Sequence, residues 1–132
     1  MLSDRQAIGL RRGTAAVREY DARWPVEFER EAARLRALFG ELAPEIEHVG
    51  STAVQGLAAK PVLDIALAYR DESALAETCR LLSAAGYEFR GDLGDDGGVV
   101  FAKGPESSRT HYLHLVPAGS VQWFDYVAFR DG

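Results

Sequence analysis

Residues 62–69, reading VLDIALAY, form the most apolar short run in the chain and constrain the fold more than any other feature. Such a run reads as a strand buried in the middle of a sheet, with helices covering its faces. Alternation places Val62, Asp64, Ala66 and Ala68 on one face and Leu63, Ile65, Leu67 and Tyr69 on the other. Asp64 breaks the pattern. A carboxylate in that setting is costly unless it holds a metal, meets a cation or emerges at the strand end, so Asp64 is the first candidate for function.

Elements on either side complete an α/β (α+β) pattern. Trp24, Phe28, Leu35, Leu38 and Phe39 recur at helical spacing, predicting a helix over 25–39 with Pro25 in its first turn and Gly40 at its end. Residues 17–21 suit a short strand or extended lead-in, and 46–49 a short strand. Ser73 is the expected cap of a helix running to Ala85, with Leu75, Cys79 and Leu82 on one stripe and Gly86 as the stop. Residues 87–90, 99–103 and 110–116 read as strands, the last two as an antiparallel pair joined around Gly104-Pro105. A final helical pattern carries Trp123, Phe124, Tyr126 and Phe129, whose expected role is packing on the sheet.

The chain has 132 residues, of which 47% are hydrophobic, enough for one domain and one core. Residues 1–13 show no periodicity and are expected to be a flexible arm, leaving 14–132 as the domain. Cys79 is the only cysteine, which excludes an intramolecular disulfide framework and suits a reducing cytoplasm. No apolar run nears the roughly 20 residues of a membrane span. A net charge of −5 disfavours duplex nucleic acid and anionic membranes, although a local basic pocket can still hold one phosphate. The acidic, glycine-rich run 92–98 lacks the ligand spacing of an EF-hand and reads as a turn.

Upstream of Asp64, Gly50 permits close backbone approach, and Ser51 and Thr52 bring hydroxyls beside backbone N–H groups, a combination able to cradle phosphate oxygens. Lys60 supplies a point charge, and Arg109 is a bidentate phosphate donor near the later hairpin, with Lys103 across from it. Three histidines are candidates. His48 either contacts a ligand or caps the Gly-Ser turn. His111 and His114 have ligand-like spacing, but on a strand they face opposite ways, His114 with Tyr112 and His111 with Leu113 and Leu115. His114 is the one positioned to enter a pocket beside Asp64.

HVGSTAVQGLAAKP followed by VLDI resembles the signature of the GrpB family (UPF0157), a nucleotidyltransferase-like group. VREYDARWPVEFERE, GPESSRTHYLHLV and WFDYVAFRD resemble it in the same order, so the similarity runs from about Arg11 onward. The resemblance implies a nucleotidyltransferase-like mixed sheet flanked by helices. It implies that Gly50 and Ser51 grip a triphosphate and that Asp64 binds Mg2+. The expected function is nucleotidyl transfer from a nucleoside triphosphate to a small acceptor. The superfamily pattern has a second acid two residues after the first, where this chain has Ala66, and a methyl cannot hold a second metal. That departure favours an alternative, a nucleotide- or phosphate-binding accessory domain without turnover; a related domain fused to dephospho-coenzyme A kinases suggests a link to coenzyme A metabolism. A third reading gives Asp64 and His114 acid–base roles on another small molecule. Chains of that family usually continue through a further helical portion beyond FRD, so an apolar face covered by a second copy, in a homodimer, is also expected.

Overall fold

Trp24, Phe28, Ala32, Leu35 and Phe39 make one continuous stripe, and they are the buried side of helix α1 (Arg23–Phe39). The helix begins two residues before Pro25, where the Asp21 carboxylate accepts the Arg23 N–H at 2.8 Å. Leu38, expected on the stripe, is 37% exposed, and Glu31 is buried in its stead. In the computed structural model, which describes residues 7–9, 17–42, 45–92 and 99–131, the remaining elements are β1 (Glu45–Val49), β2 (Leu63–Tyr69), α2 (Glu72–Ala84), β3 (Tyr87–Asp92), β4 (Val99–Lys103), β5 (His111–Pro117) and α3 (Val121–Asp131).

The strands form one sheet in the order β1-β2-β5-β4-β3. β2 and β5 run parallel, and the other pairs are antiparallel, including the expected β4–β5 pair. The strand expected at the centre is interior, between β1 and β5, but the middle position belongs to β5. Its two faces separate as the alternation requires. Leu63, Ile65, Leu67 and Tyr69 join the main core with Leu113, Leu115, Phe101 and the stripe of α1. Ala66 and Ala68 join Val49, Val116 and Trp123 in a smaller core under α3. Alanines there leave room for the indole.

Several expectations change. The cap of α2 is Asp71, which accepts the Ala74 N–H at 3.2 Å, while Ser73 lies inside the first turn and donates its hydroxyl to Asp71. Both residues are good caps; the extended backbone at Asp71 starts the helix earlier. Ala74, Thr78 and Leu82 are the buried residues of α2, with Leu75 and Cys79 only partly covered. Of the four aromatics of α3, Trp123 is buried and Tyr126 partly so, but Phe124 and Phe129 are 61% and 59% exposed, because a helix covering one sheet face has an outer side too. Within the expected arm, Ala7 is buried and its carbonyl accepts the Trp24 indole N–H at 2.8 Å, and the Gly9 N–H donates to Pro61 O. That part is docked, and 1–6 and 10–13 lie outside the described residues. Residues 17–21 form no strand and make one antiparallel bridge, Arg18 to Ala59. The acidic run 92–98 is outside the described residues except for the backbone of Asp92. No helix among the described residues is long and apolar enough to cross a membrane.

Candidate functional site

β1 ends beside the start of β2, where Val49 pairs with Asp64. The chain turns at Gly50 with φ 71° and ψ −171°, a conformation essentially restricted to glycine. The turn presses on β2 so closely that a Cβ at position 50 would meet Asp64 Oδ2 at 2.7 Å. Ser51–Ala53 then form one 3-10 turn, closed by the Ala53 N–H donating to the Gly50 carbonyl. His48 fastens this turn from the α1 face: its Nε2 lies 2.9 Å from the Thr52 hydroxyl, and its ring stacks on Phe28 with centroids 4.9 Å apart. Of the two roles open to His48, these contacts fill that of the cap.

Asp64 Oδ1 is 3.0 Å from Nε2 of His114, which arrives from the neighbouring parallel strand in register with Ala66. The Asp64 side chain is one-third exposed (32%), whereas that of His114 is mostly covered. The His114 ring lies 4.9 Å from that of Tyr126 on α3. Its Nδ1 is buried with no hydrogen-bond partner among the described residues.

Strand alternation keeps His111 away. It lies on the α1 face with its Nδ1 2.7 Å from the Thr110 hydroxyl, on the opposite side of the sheet from His114. Arg109 is committed elsewhere: its guanidinium donates to the Gly104 carbonyl at 2.7 Å and to Glu88 on the outer strand β3 at 3.0 Å. Lys60 is exposed in the segment leading to β2. The structure therefore brings together Gly50, Ser51, Asp64 and His114, with His48 and Thr52 bracing the turn, and places Arg109 and His111 apart from them. Glu47 was missed by the sequence reading. It lies on the Asp64 face opposite Ala66 and pairs with Arg130 of α3, which also donates to the His48 carbonyl. Its spacing from Val49 carried the signal, since residues two apart on a strand share a face.

No group of three or more His, Cys, Asp or Glu side chains converges as a metal cage among the described residues. Ala66 is fully buried in the small core with Trp123, so a second acid at that position would sit in packed apolar surroundings. The donors present fit one cation completed by phosphate or water oxygens, and do not fit two.

Burial holds His48 and His111 neutral, pushing each imidazole from 6.5 down to about 4. Around His48 the Asp64 charge opposes the shift and Arg130 adds to it; around His111, Glu31 and Glu27 oppose it and Lys103 and Arg34 add to it. A depressed folded-state pKa contributes stability that is complete above the unfolded value and is lost as pH falls through the folded one. Lowering pH from 7.5 to 5 is expected to remove roughly 2 kcal/mol per histidine. Urea unfolding should show that loss, with about half of it gone in His48→Gln; equal stability at both pH values would refute the buried neutral state.

A mixed five-stranded sheet with helices on both faces, a Gly-Ser turn after one strand and an aspartate opening the next, defines a nucleotidyltransferase-like fold. The family model described as GrpB protein matches residues 14–132, and the chain belongs to the GrpB family. A UPF0157 protein of Halalkalibacterium halodurans is 39% identical over 113 residues, covering 86% of this chain and 57% of that protein. The crystal structure of the conserved protein GrpB from Enterococcus faecalis superposes with a TM-score of 0.78 at 33% identity, over 88% of this chain and 70% of that one. Cid1, solved in complex with the UTP analogue UMPNPP, superposes with a TM-score of 0.53 at 15% identity, over 85% of this chain and 36% of that one, a likeness of fold alone. The chain spans about half the length of most of the curated relatives it matches.

Proposed function

We propose that this chain binds the phosphates of a nucleoside triphosphate, with a divalent cation, where the Gly50-Ser51 turn meets Asp64. The observation that carries the reading is the packing of Gly50 against Asp64, which brings the backbone of the Gly-Ser turn beside a carboxylate. Phosphate oxygens are recognised by such backbone groups, and a cation bridging them to a carboxylate neutralises the repulsion between the two anions. Nucleotidyl transfer to an acceptor hydroxyl, with release of pyrophosphate, is the enzymatic form of this reading. Ala66 and the one-cation donor set favour binding over two-metal transfer.

A second reading rests on the 3.0 Å hydrogen bond between Asp64 and His114. Such a pair fixes the imidazole orientation and serves acid–base chemistry on a bound small molecule.

Titration calorimetry with the four nucleoside triphosphates, with and without Mg2+, separates these readings. Cation-dependent binding is expected, weakened at least about tenfold (about 1.4 kcal/mol) in Asp64→Asn. Absence of binding by any of the four would sink the first reading. Pyrophosphate release in the presence of candidate acceptors then distinguishes transfer from binding.

A further inference from the structure

The face of the sheet carrying Asp64 is closed beyond that residue. Ala66, Ala68, Val49 and Val116 form a packed core under Trp123, and Glu47, the acid opposite Ala66 on β1, is engaged by Arg130. No oxygen ligand can therefore be recruited along β2 where a second carboxylate would stand. The neighbouring strand supplies a different donor. Parallel pairing sets His114 beside Ala66, and the small alanine lets the imidazole reach back to Asp64 with its Nε2 3.0 Å from Oδ1.

From this juxtaposition we propose that Asp64 Oδ1 and His114 Nε2 are both ligands of the cation, a mixed oxygen–nitrogen pair that selects a first-row transition cation over Mg2+. The proposal rests on the nucleotide-binding reading above. Two adjacent ligands at about 2.1 Å from an octahedral cation stand roughly 3 Å apart, the separation these two atoms already have, so the cation takes the place of the shared proton without moving either strand. Mg2+ prefers oxygen and water, whereas imidazole nitrogen is taken more readily by the later divalent metals. A cation on Nε2 would leave the ring proton on Nδ1, which is buried and makes no hydrogen bond among the described residues.

The test uses Mn2+ as the spectroscopic cation, with ATP as the nucleotide probe. Electron spin echo modulation of bound Mn2+ should show coupling to one imidazole nitrogen, which changes when wild-type protein is labelled with 15N-histidine and disappears in His114→Asn. His48 and His111 lie on the other face and serve as internal controls. In calorimetry, the Mn2+ over Mg2+ preference should fall at least about tenfold in that variant, with Mg2+ affinity altered much less. Nucleotide and cation binding without nitrogen coupling, and with the same preference in both proteins, would overturn the histidine ligand while leaving the site in place. Failure of both cations and ATP to bind the wild-type protein would overturn the site and the ligand together.

Discussion

Gly50→Ala is expected to destabilise the protein by about 2–4 kcal/mol and to abolish cation-dependent nucleotide binding. Two penalties add. The backbone at position 50 has φ 71° and ψ −171°, a region that costs an L-residue about 1–3 kcal/mol. The new methyl would also stand 2.7 Å from Asp64 Oδ2 and 3.0 Å from its Cβ, so either the carboxylate or the turn must move. Chemical denaturation of the single and double variants separates the two. In an Asp64→Ala background the carboxylate is gone and only the 3.0 Å contact with Cβ remains, so Gly50→Ala should cost less than in the wild type, chiefly the backbone part of about 1–3 kcal/mol. An identical cost in both backgrounds would show that the carboxylate is not what glycine accommodates.

Glu31→Ala is expected to cost about 3–5 kcal/mol, the range for removing one partner from a buried ionic network. Glu31 is 2% exposed on α1, yet its carboxylate accepts the Tyr87 hydroxyl at 2.5 Å, Lys103 Nζ at 2.8 Å and Arg34 at 3.1 Å. Removing it strands the Tyr87 hydroxyl and an ammonium that is three-quarters covered. Replacing the buried group, as Glu31→Met with Tyr87→Phe and Lys103→Met, should recover most of the loss, because the Tyr87 hydroxyl and the Lys103 ammonium are then gone and Arg34, 69% exposed, is solvated by water. Urea unfolding of both proteins at pH 7 decides the matter; a triple variant as weak as Glu31→Ala would mean that packing, not pairing, sets the cost. The pH dependence has its own sign. Burial raises the Glu31 carboxyl, but the hydrogen bonds from Lys103 and Tyr87, with the Lys103 charge, bring it below its ordinary 4.5. Its contribution is therefore present above 4.5 and lost as pH falls below that value, a lower window than that of the two histidines.

Much of the fold was legible in local patterns. The stripe from Trp24 to Phe39, the two-sided alternation of 62–69 and the opposite orientation of His111 and His114 all follow from periods of 3.6 and 2, which any window of a dozen residues contains. Helix ends were less legible, since Asp71 and Ser73 both qualify as caps and the backbone conformation chooses between them. Glu31 shows where periodicity misleads: its neighbours mark the buried stripe, but nothing nearby reveals that its partners lie 56 and 72 residues further along.

By itself the sequence determined that Gly50, Ser51 and Asp64 stand at successive strand ends and that Asp64 shares its face with Ala66. Only the tertiary structure decided what Asp64 meets. Its partner His114 is 50 residues away, brought alongside because β5 inserts next to β2 in parallel, and Arg109 is drawn off to Glu88 by the same sheet order. Periodicity reports which way a side chain points, whereas the identity of its neighbour depends on pairings between distant strands, which no local window encodes.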